Sequence, residues 1–328
     1  MRIVLALIAA LATMPAQAEP FRFVAFGDMP YCLPGAPQDC PAEEGRVARL
    51  MGDINAAQPA FTIFVGDTKG GSELCTDERT LRAFTWMGLA NHPLVYTPGD
   101  NEWTDCWQDR AGRFDQLERL ALLRNRFFRD ARSLGRGMAL TRQADADPAH
   151  AAYVENARWM RDGVVFATLH VVGSNNNRPT EPGERPASRP PEGAMAEFQA
   201  RDAANLAWLA ASFATAREQN ARAVVIAMQA EMYYAERCGS GQTSGFVALR
   251  EALAREAATF ARPVLLIHGD IHAWLQDRPV PAAPNLTRIM VPGAEDVRAV
   301  VVTVDPEAAY PWAFRLIGPE DRVRRNPC

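Results

Sequence analysis

Residues 64–71 of the chain read FVGDTKGG, and within them the sequence changes abruptly from apolar to polar. The apolar run over residues 61–65 predicts a short buried strand, and Asp67 follows soon after it. Because open α/β sheets hold their ligands at the carboxyl ends of strands, Asp67 is a candidate site residue. Lys69 is the only lysine of the chain and a candidate phosphate contact; the alternative is an exposed loop residue with no special role.

Polar side chains also end several other predicted strands. Strands over residues 21–26 and 94–97 run into Gly27-Asp28 and Pro98-Gly99-Asp100, so three successive strands end in Gly-Asp. Further buried strands are predicted over residues 164–172, 223–228 and 263–267, and the polar residues at strand ends are Asp28, Asp67, Asp100, His170, Gln229, Asp270 and His272. In an α/β fold such residues converge on one edge of the sheet. A single Gly-Asp pair is ordinarily a turn, and it is the recurrence that favours a site.

Helical spacing of apolar residues alternates with these strands. The pattern predicts helices over residues 43–57, 80–89, 112–134, 197–218 and 246–260, with later strands over 297–304 and 312–317. Residues 173–193 are rich in Pro, Asn, Arg and Gly and predict a long loop over the sheet edge. Neither an internal repeat nor a linker interrupts the alternation, so we expect residues 19–328 to form a single domain.

The composition indicates an exported protein. Residues 1–18 have a basic start, a short apolar core and a small-x-small site ending at Ala18, which predicts a signal peptide and a periplasmic or secreted location. No later stretch has the length and apolar character of a stable membrane span. The net charge of −4 gives no footprint for nucleic acid as a partner.

The six cysteines predict disulfides in an exported chain. Cys32 and Cys40 bracket a short loop and are candidates for a local pair, but the sequence does not fix the pairing of the others. No spacing is of the CxxC type, which argues against a zinc–cysteine site. Aspartate, asparagine and histidine at the strand ends instead suit hard or borderline divalent metals.

The order of the motifs resembles that of the calcineurin-like metallophosphoesterases. The residues that carry the resemblance are, in chain order, Gly27-Asp28-Met29-Pro30, Gly66-Asp67, Gly99-Asp100-Asn101-Glu102, Met228-Gln229 and Gly269-Asp270-Ile271-His272. The resemblance spans about residues 21–304. It implies an α/β fold, a four-layer sandwich of two mixed β-sheets flanked by helices.

Several motif positions depart from the family, which makes the chain a divergent member with altered histidine motifs. Pro30 stands where the first histidine ligand is expected, and the adjacent Tyr31 is a candidate oxygen donor. Asn101 replaces the histidine that the family places near the leaving group. Asp100 replaces an asparagine, whereas Gln229 and Asp270 replace histidine ligands. The resulting site is richer in oxygen, which favours harder ions.

The resemblance also implies a chemistry, the hydrolysis of a phosphate mono- or diester by a metal-bound hydroxide. One or two divalent ions (Mn, Fe, Zn, Mg or Ca) would be held by Asp28, Asp67, Asp100, Gln229, Asp270 and His272, with Asp67 as the bridge. The substrate would be a small-molecule phosphate ester or a glycan phosphate. The alternative is a catalytically degenerate protein of the same fold that binds a phosphate or glycan ligand.

Three residues are candidates for catalytic roles beyond metal binding. Asn101 occupies the leaving-group position but cannot protonate a leaving group. His170 is a candidate proton donor, with a structural histidine as the alternative. Lys69 is a candidate clamp for phosphate oxygens. The crowding of four carboxylates in one pocket favours a site that retains its cations over a dead one, because unpaired carboxylates that close repel one another.

Overall fold

The computed structural model describes residues 19–32, 40–319 and 328. The predicted signal peptide, residues 1–18, lies outside the described residues. The strands within them are β1 (Phe21–Phe26), β2 (Thr62–Phe64), β3 (Pro93–Tyr96), β4 (Leu134–Gly135), β5 (Thr141–Arg142), β6 (Ala157–Arg161), β7 (Val164–Thr168), β8 (Ala223–Ala227), β9 (Val264–His268), β10 (Leu275–Asp277), β11 (Leu286–Met290), β12 (Ala299–Val304) and β13 (Trp312–Ile317).

The described α-helices of ten or more residues are α1 (Pro41–Ala56), α2 (Asp77–Met87), α3 (Gln116–Phe127), α4 (Ala194–Glu218) and α5 (Val247–Phe260). Shorter helical segments lie at Thr104–Trp107, Asp109–Ala111, Gln143–Ala146, Pro148–His150, Gly173–Asn176 and Tyr234–Cys238. None of the helices in the described part of the chain has the length and apolar character that a membrane crossing requires.

The strands form two mixed sheets. The first has the order β13-β12-β1-β2-β3-β4, and the second has the order β10-β11-β9-β8-β7-β6-β5. At the centre of the first sheet β1, β2 and β3 are parallel neighbours, and at the centre of the second β7, β8 and β9 are parallel neighbours. The carboxyl ends of each set therefore lie together at one edge of their sheet.

Apolar side chains on both faces of each sheet produce four layers. The outer face of the first sheet packs on α1, α2 and α3, and the outer face of the second packs on α4 and α5. The inner faces meet in an aromatic core, where the ring of Phe61 stacks on Phe23 at 5.3 Å and meets the edge of Phe166 at 4.9 Å. The predicted four-layer α/β sandwich of two mixed sheets is confirmed.

Some predicted elements need correction. The helix predicted over 112–134 begins only at Gln116, where the Asp115 side chain accepts a hydrogen bond from the Glu118 amide, and it ends at Phe127. The chain beyond it leaves the helix so that β4 can pair with β3. The strand predicted over 164–172 ends at Thr168, and residues 169–172 turn toward the edge of the sheet.

Disulfides connect all six cysteines. The pairs are Cys32–Cys40, Cys75–Cys106 and Cys238–Cys328. The local pairing of the first two cysteines is confirmed. The second pair joins the loop after β2 to the short helical turn after β3, so it ties together two of the loops that carry the Gly-Asp motifs.

Candidate metal centre

Three carboxylates follow neighbouring strands of the first sheet. Asp28, Asp67 and Asp100 lie two to four residues beyond the ends of β1, β2 and β3, and all three are buried. Adjacent loops are joined directly, because the amide of Asp28 donates to the carbonyl of Gly66 at 2.8 Å. The parallel pairing of the strands therefore places the three carboxylates side by side.

The second sheet supplies the opposite side of the same site. Gln229 follows β8 by two residues, whereas Asp270 and His272 follow β9 by two and four. The Asp270 amide donates to Asp28 Oδ1 at 2.9 Å, and Gln229 Nε2 donates to Asp67 Oδ2 at 3.2 Å. The site thus lies where the carboxyl edges of the two sheets meet.

Four of the predicted site residues have left-handed backbone. Asp28, Asp67, Asp270 and His272 have φ values of 55°, 59°, 80° and 59°. Residues other than glycine rarely adopt this region of backbone conformation, which costs on the order of 1 kcal/mol or more at each position. Such strain persists where the surrounding structure enforces a particular side-chain direction, which is typical of functional sites.

Asp28, Asp67 and His272 form the first cluster. Each offers one ligand atom, and these three atoms all lie within 4.8 Å of one another. The Tyr31 hydroxyl lies among them, donating to Asp67 Oδ2 at 2.9 Å and lying 3.2 Å from His272 Nε2. The structure therefore brings together three of the predicted ligands and adds Tyr31 as an oxygen donor.

Of the four aspartates of the site, Asp67 accepts the most hydrogen bonds. Asn101 donates two hydrogen bonds to Asp67. Its backbone N–H donates to Oδ1 at 3.1 Å, and its side-chain Nδ2 donates to Oδ2 at 2.8 Å. Asn101 Nδ2 also donates to the Tyr31 hydroxyl at 2.9 Å. Asn101 consequently fixes the orientation of Asp67, and both residues line the cavity described below.

The side-chain amide of Gln229 has a defined orientation. Its Oε1 accepts a hydrogen bond from the Gly173 amide at 2.6 Å, and a backbone N–H can only donate. The nitrogen of the amide must therefore face Asp67. In this geometry Gln229 is a hydrogen-bond donor to Asp67 and does not present its oxygen as a metal ligand, so the predicted ligand role of Gln229 has no geometric support.

Asp100 and Asp270 form the second cluster, above the backbone of Gly173. A Cβ atom added to Gly173 would lie 2.8 Å from Oδ1 of Asp100 and 2.8 Å from Oδ1 of Asp270. The other oxygens are occupied, because Asp100 Oδ2 accepts from Ser174 Oγ at 2.9 Å and Asp270 Oδ2 accepts from the Glu231 amide at 2.8 Å. Two carboxylate oxygens from different sheets thus point at one small space.

This donor set fits divalent cations. Oδ2 of Asp28 and Oδ1 of Asp100 are buried and have no hydrogen-bond partner among the described residues. Burial raises the pKa of Asp28, Asp67, Asp100 and Asp270, and for three of them, Asp100 excepted, neighbouring carboxylates raise it further. A buried carboxylate without a partner is costly, and an ion at this position would compensate the charge and occupy the free oxygens.

Glu102 is a further residue of the site, for which the sequence predicts no role of its own. It is buried, and its Oε1 accepts hydrogen bonds from the Tyr96 hydroxyl at 2.7 Å and from the amides of Asp67 and Gly99 at 3.1 and 2.9 Å. It therefore holds the loops after β2 and β3 against each other. The only signal for it in the sequence is its position at the end of the Gly99-Asp100-Asn101-Glu102 motif.

Lys69 is buried and is not among the residues that line the cavity of the site. Its Nζ donates to the carbonyl oxygens of Gly70 at 3.2 Å and Glu73 at 2.9 Å. Burial lowers the pKa of Lys69, and the charges of nearby carboxylates, Glu73 and Glu102 first, oppose this. Lys69 does not line the cavity, so the geometry supports a role in loop structure and charge balance and not the predicted phosphate clamp.

His170 does not line the cavity either. It is fully buried, its Nδ1 lies 2.8 Å from Glu155 Oε1, and its ring lies beside Trp103 at a centroid distance of 5.2 Å. Burial lowers the pKa of His170, with Glu155 opposing. The structure thus places His170 in a buried polar network, and we do not retain it as a proton donor.

A cavity of about 420 Å³ opens over the two clusters. The carboxylates Asp67, Asp100 and Asp270 line its floor together with His272. Its walls are formed by residues from the segments that follow six strands, β1, β2, β3, β7, β8 and β9, namely Tyr31, Gly71, Asn101, Asp105, Arg110, Gly173, Ser174, Arg185, Pro186, Glu231, Tyr234, Gly241, Gln242, Phe246 and Ile271. The volume lies in the range of sites for small organic ligands.

No protein-family model and no curated protein sequence matches the chain. A dimetal phosphatase from Danio rerio aligns with 90% of this chain and 99% of its own, at a TM-score of 0.53 and 10% identity. A purple acid phosphatase from the seeds of yellow lupin, Lupinus luteus, aligns with 93% of this chain and 55% of its own, at a TM-score of 0.51 and 11% identity. Both have the calcineurin-like metallophosphoesterase fold, and this chain has that fold.

Proposed function

We propose that this protein is an exported, metal-dependent phosphoesterase that hydrolyses a phosphate mono- or diester. The observation that carries the proposal is the convergence of Asp28, Asp67, Asp100 and Asp270 at the meeting edge of the two sheets, with buried oxygens left unpartnered. The likeness in fold to a dimetal phosphatase supports the same conclusion, although fold alone does not determine function.

The two clusters define two candidate ion positions. Asp28, Asp67 and His272, with the Tyr31 hydroxyl, would hold one ion, and Asp100 and Asp270 would hold a second, with Asp67 close to both. Divalent ions at such positions neutralise phosphate oxygens and lower the pKa of water. The oxygen-rich donor set suits Mn, Mg, Fe, Zn or Ca, and it favours the harder ions among these.

Asn101 defines what the chain can offer a bound phosphate ester. Its side chain lies at the cavity wall, where both N–H groups already donate, one to the Tyr31 hydroxyl and one to Asp67, and an amide supplies no proton to a leaving group. We therefore expect esters with acidic leaving groups, such as aryl phosphates, to be hydrolysed faster than alkyl phosphates. Small phosphate esters, glycan phosphates included, are the substrates that we propose.

Export and domain organisation belong to the same proposal. The three disulfides support an oxidising location, the periplasm or the exterior of the cell, after removal of residues 1–18. The aromatic core shared by the two sheets supports a single phosphoesterase domain over residues 19–328.

The proposal is tested with Asp67→Asn, which keeps the size of the side chain and removes its charge. We expect Mn²⁺-dependent hydrolysis of p-nitrophenyl phosphate and bis(p-nitrophenyl) phosphate to fall at least about a hundredfold in kcat/KM, because a metal ligand is lost. Asp53→Asn, at an exposed position of α1, is the matched control and should retain activity. Turnover in Asp67→Asn equal to that of the control contradicts the proposal, and ligand binding by wild type without turnover supports the non-catalytic alternative.

A further inference from the structure

One part of the cavity wall is built from two loops, residues 178–189 and 239–246, that the carboxylate of Glu184 joins. Glu184 Oε1 accepts from the amides of Thr243 and Ser244 at 2.7 and 2.6 Å, and its Oε2 accepts from Ser244 Oγ at 2.7 Å and from the Glu181 amide at 2.6 Å. Although burial opposes it, these hydrogen bonds lower the pKa of Glu184 to about 2. The Glu184 carboxylate is therefore charged at neutral pH and links residues 178–189 to residues 239–246 through hydrogen bonds.

Hydrogen bonds to the neighbouring loop fix the backbone on both sides of Arg185. Glu184 precedes it, and Pro186 follows it with a carbonyl that accepts from Gln242 Nε2 at 2.7 Å. The base of the loop is closed as well, since the amide of Thr180 donates to the carbonyl of Ser188 at 3.1 Å. Arg185 is consequently presented at a defined place on the cavity wall.

Arg185 places a cationic side chain at this cavity. It lines the cavity, it is exposed, and it makes no ion pair or hydrogen bond with any of the described residues. The other arginine of the cavity, Arg110, differs because its Nη2 lies 3.5 Å from Asp105 Oδ2. Of the two arginines that line the cavity, Arg185 is therefore the one without a carboxylate partner among the described residues.

The cavity is larger than one phosphate group requires. Its volume is about 420 Å³, and Tyr234 and Phe246 line it beside Arg185. Aromatic side chains suit an organic group, and a guanidinium pairs through two N–H groups with a carboxylate or a phosphate. The organic part of a bound ester would thus have an aromatic wall and a cation beside it.

We infer that the site selects phosphate esters whose leaving group carries a second anionic group, a carboxylate or another phosphate, which Arg185 binds. Arg185 would then be a specificity-determining residue. The inference rests on the proposed function, because it names the substrate class of the same site.

Equilibrium binding of non-hydrolysable phosphonates tests the inference without turnover. We expect the Mn²⁺-loaded protein to bind 4-carboxyphenylphosphonate about tenfold more tightly than phenylphosphonate in calorimetric titrations, because one charge-assisted pair is added. Arg185→Gln should remove this preference, so that 4-carboxyphenylphosphonate and phenylphosphonate bind this variant with about the same affinity. In benzene-1,4-diphosphonate the second anionic group resembles a phosphate. Whichever of the two ligands with a second anionic group binds more tightly identifies the group that Arg185 prefers.

Arg189→Gln is the matched control. Arg189 lies in the same loop and is exposed, but it does not line the cavity, so this variant should keep the wild-type preference. The inference is overturned if the wild-type protein binds phenylphosphonate as tightly as both ligands with a second anionic group. It is also overturned if the preference for these ligands survives in Arg185→Gln. Hydrolysis of phenyl phosphate by the same preparation reports on the proposed function separately, and a protein that binds no phosphonate contradicts both.

Discussion

Gly173 shows how a single missing side chain creates space for an ion. Its backbone amide orients Gln229, and the space where its Cβ would lie is shared by oxygens of Asp100 and Asp270. Its φ is outside the left-handed region, so alanine can adopt the same backbone conformation. The position therefore separates the effect of blocking the site from the effect of straining the chain.

We predict that Gly173→Ala folds but binds Mn²⁺ at least about tenfold more weakly, because the new methyl group displaces two ligand oxygens. Calorimetric titration with Mn²⁺ gives the affinity and the stoichiometry, and circular dichroism confirms the fold. Gly52→Ala is the control, since a Cβ at that helix position would meet nothing within 4 Å. This control should bind Mn²⁺ as wild type does and be about 0.5–1 kcal/mol more stable. Wild-type Mn²⁺ affinity in Gly173→Ala would contradict the assignment of the second cluster.

At the residue scale the sequence predicts which carboxylates meet, but not what every neighbour does. Asp28, Asp67, Asp100 and Asp270 follow parallel strands, so topology alone brings them together. The donor role of Gln229 depends on the Gly173 amide, 56 positions away in the sequence. Such side-chain orientation is set by tertiary contacts, and no pattern of residue types in the sequence encodes it.

At the scale of elements, the loops after β2 and β3 act as one unit. Glu102 joins them by hydrogen bonds, and the Cys75–Cys106 disulfide joins them covalently across a sequence separation of 31. The Cys32–Cys40 disulfide closes a shorter loop with a separation of 8. The two bonds therefore differ in how much conformational freedom they remove from the unfolded chain.

We predict that replacing Cys75 and Cys106 together by alanine lowers the free energy of unfolding by about 3–4 kcal/mol. The double replacement of Cys32 and Cys40 is the comparison, and the shorter loop gives an expected loss of about 2.5 kcal/mol. Urea denaturation of both variants at one fixed Mn²⁺ concentration measures the difference. A larger loss for the Cys32 and Cys40 variant would show that loop length does not govern the effect.

Elements with a strong apolar pattern are predicted well, and short edge strands are not. The strands at Phe21–Phe26 and Trp312–Ile317 have the predicted bounds. The edge strands Leu134–Gly135, Thr141–Arg142 and Leu275–Asp277 have two or three residues each, too few to show a period of two. They exist because a neighbouring strand offers hydrogen-bonding groups, which is a property of the assembled sheet.

At the scale of the whole molecule, the site makes stability depend on pH. The pKa values of Asp28, Asp67, Asp100 and Asp270 are raised in the metal-free folded protein, first by burial. A carboxyl group whose pKa is raised in the folded state stabilises the fold when it is protonated. This contribution is lost as the pH rises from the ordinary carboxyl pKa of about 4 through the raised pKa of the folded state. Bound cations would replace the lost protons as charge partners.

We predict that the difference in melting temperature between Mn²⁺-saturated and EDTA-treated protein grows from about pH 5 to about pH 8. Differential scanning calorimetry at several pH values measures it. In Asp67→Asn the growth should be smaller, because one of the titrating carboxylates and one metal ligand are absent. A difference in melting temperature that stays constant over this pH range would mean that the carboxylates do not bind the ion.

The arrangement of two sheets has a consequence for how such a protein can change during evolution. Asp67 and Asp100 belong to one sheet and Asp270 and His272 to the other, so the distances between them depend on how far apart the aromatic core holds the sheets. A substitution of Phe61 that alters the volume of this core would change ligand spacing without touching a ligand. Substitutions in the core between the sheets are therefore expected to change the ion affinity. We expect a second, compensating substitution to arise at a residue that faces the first one from the other sheet.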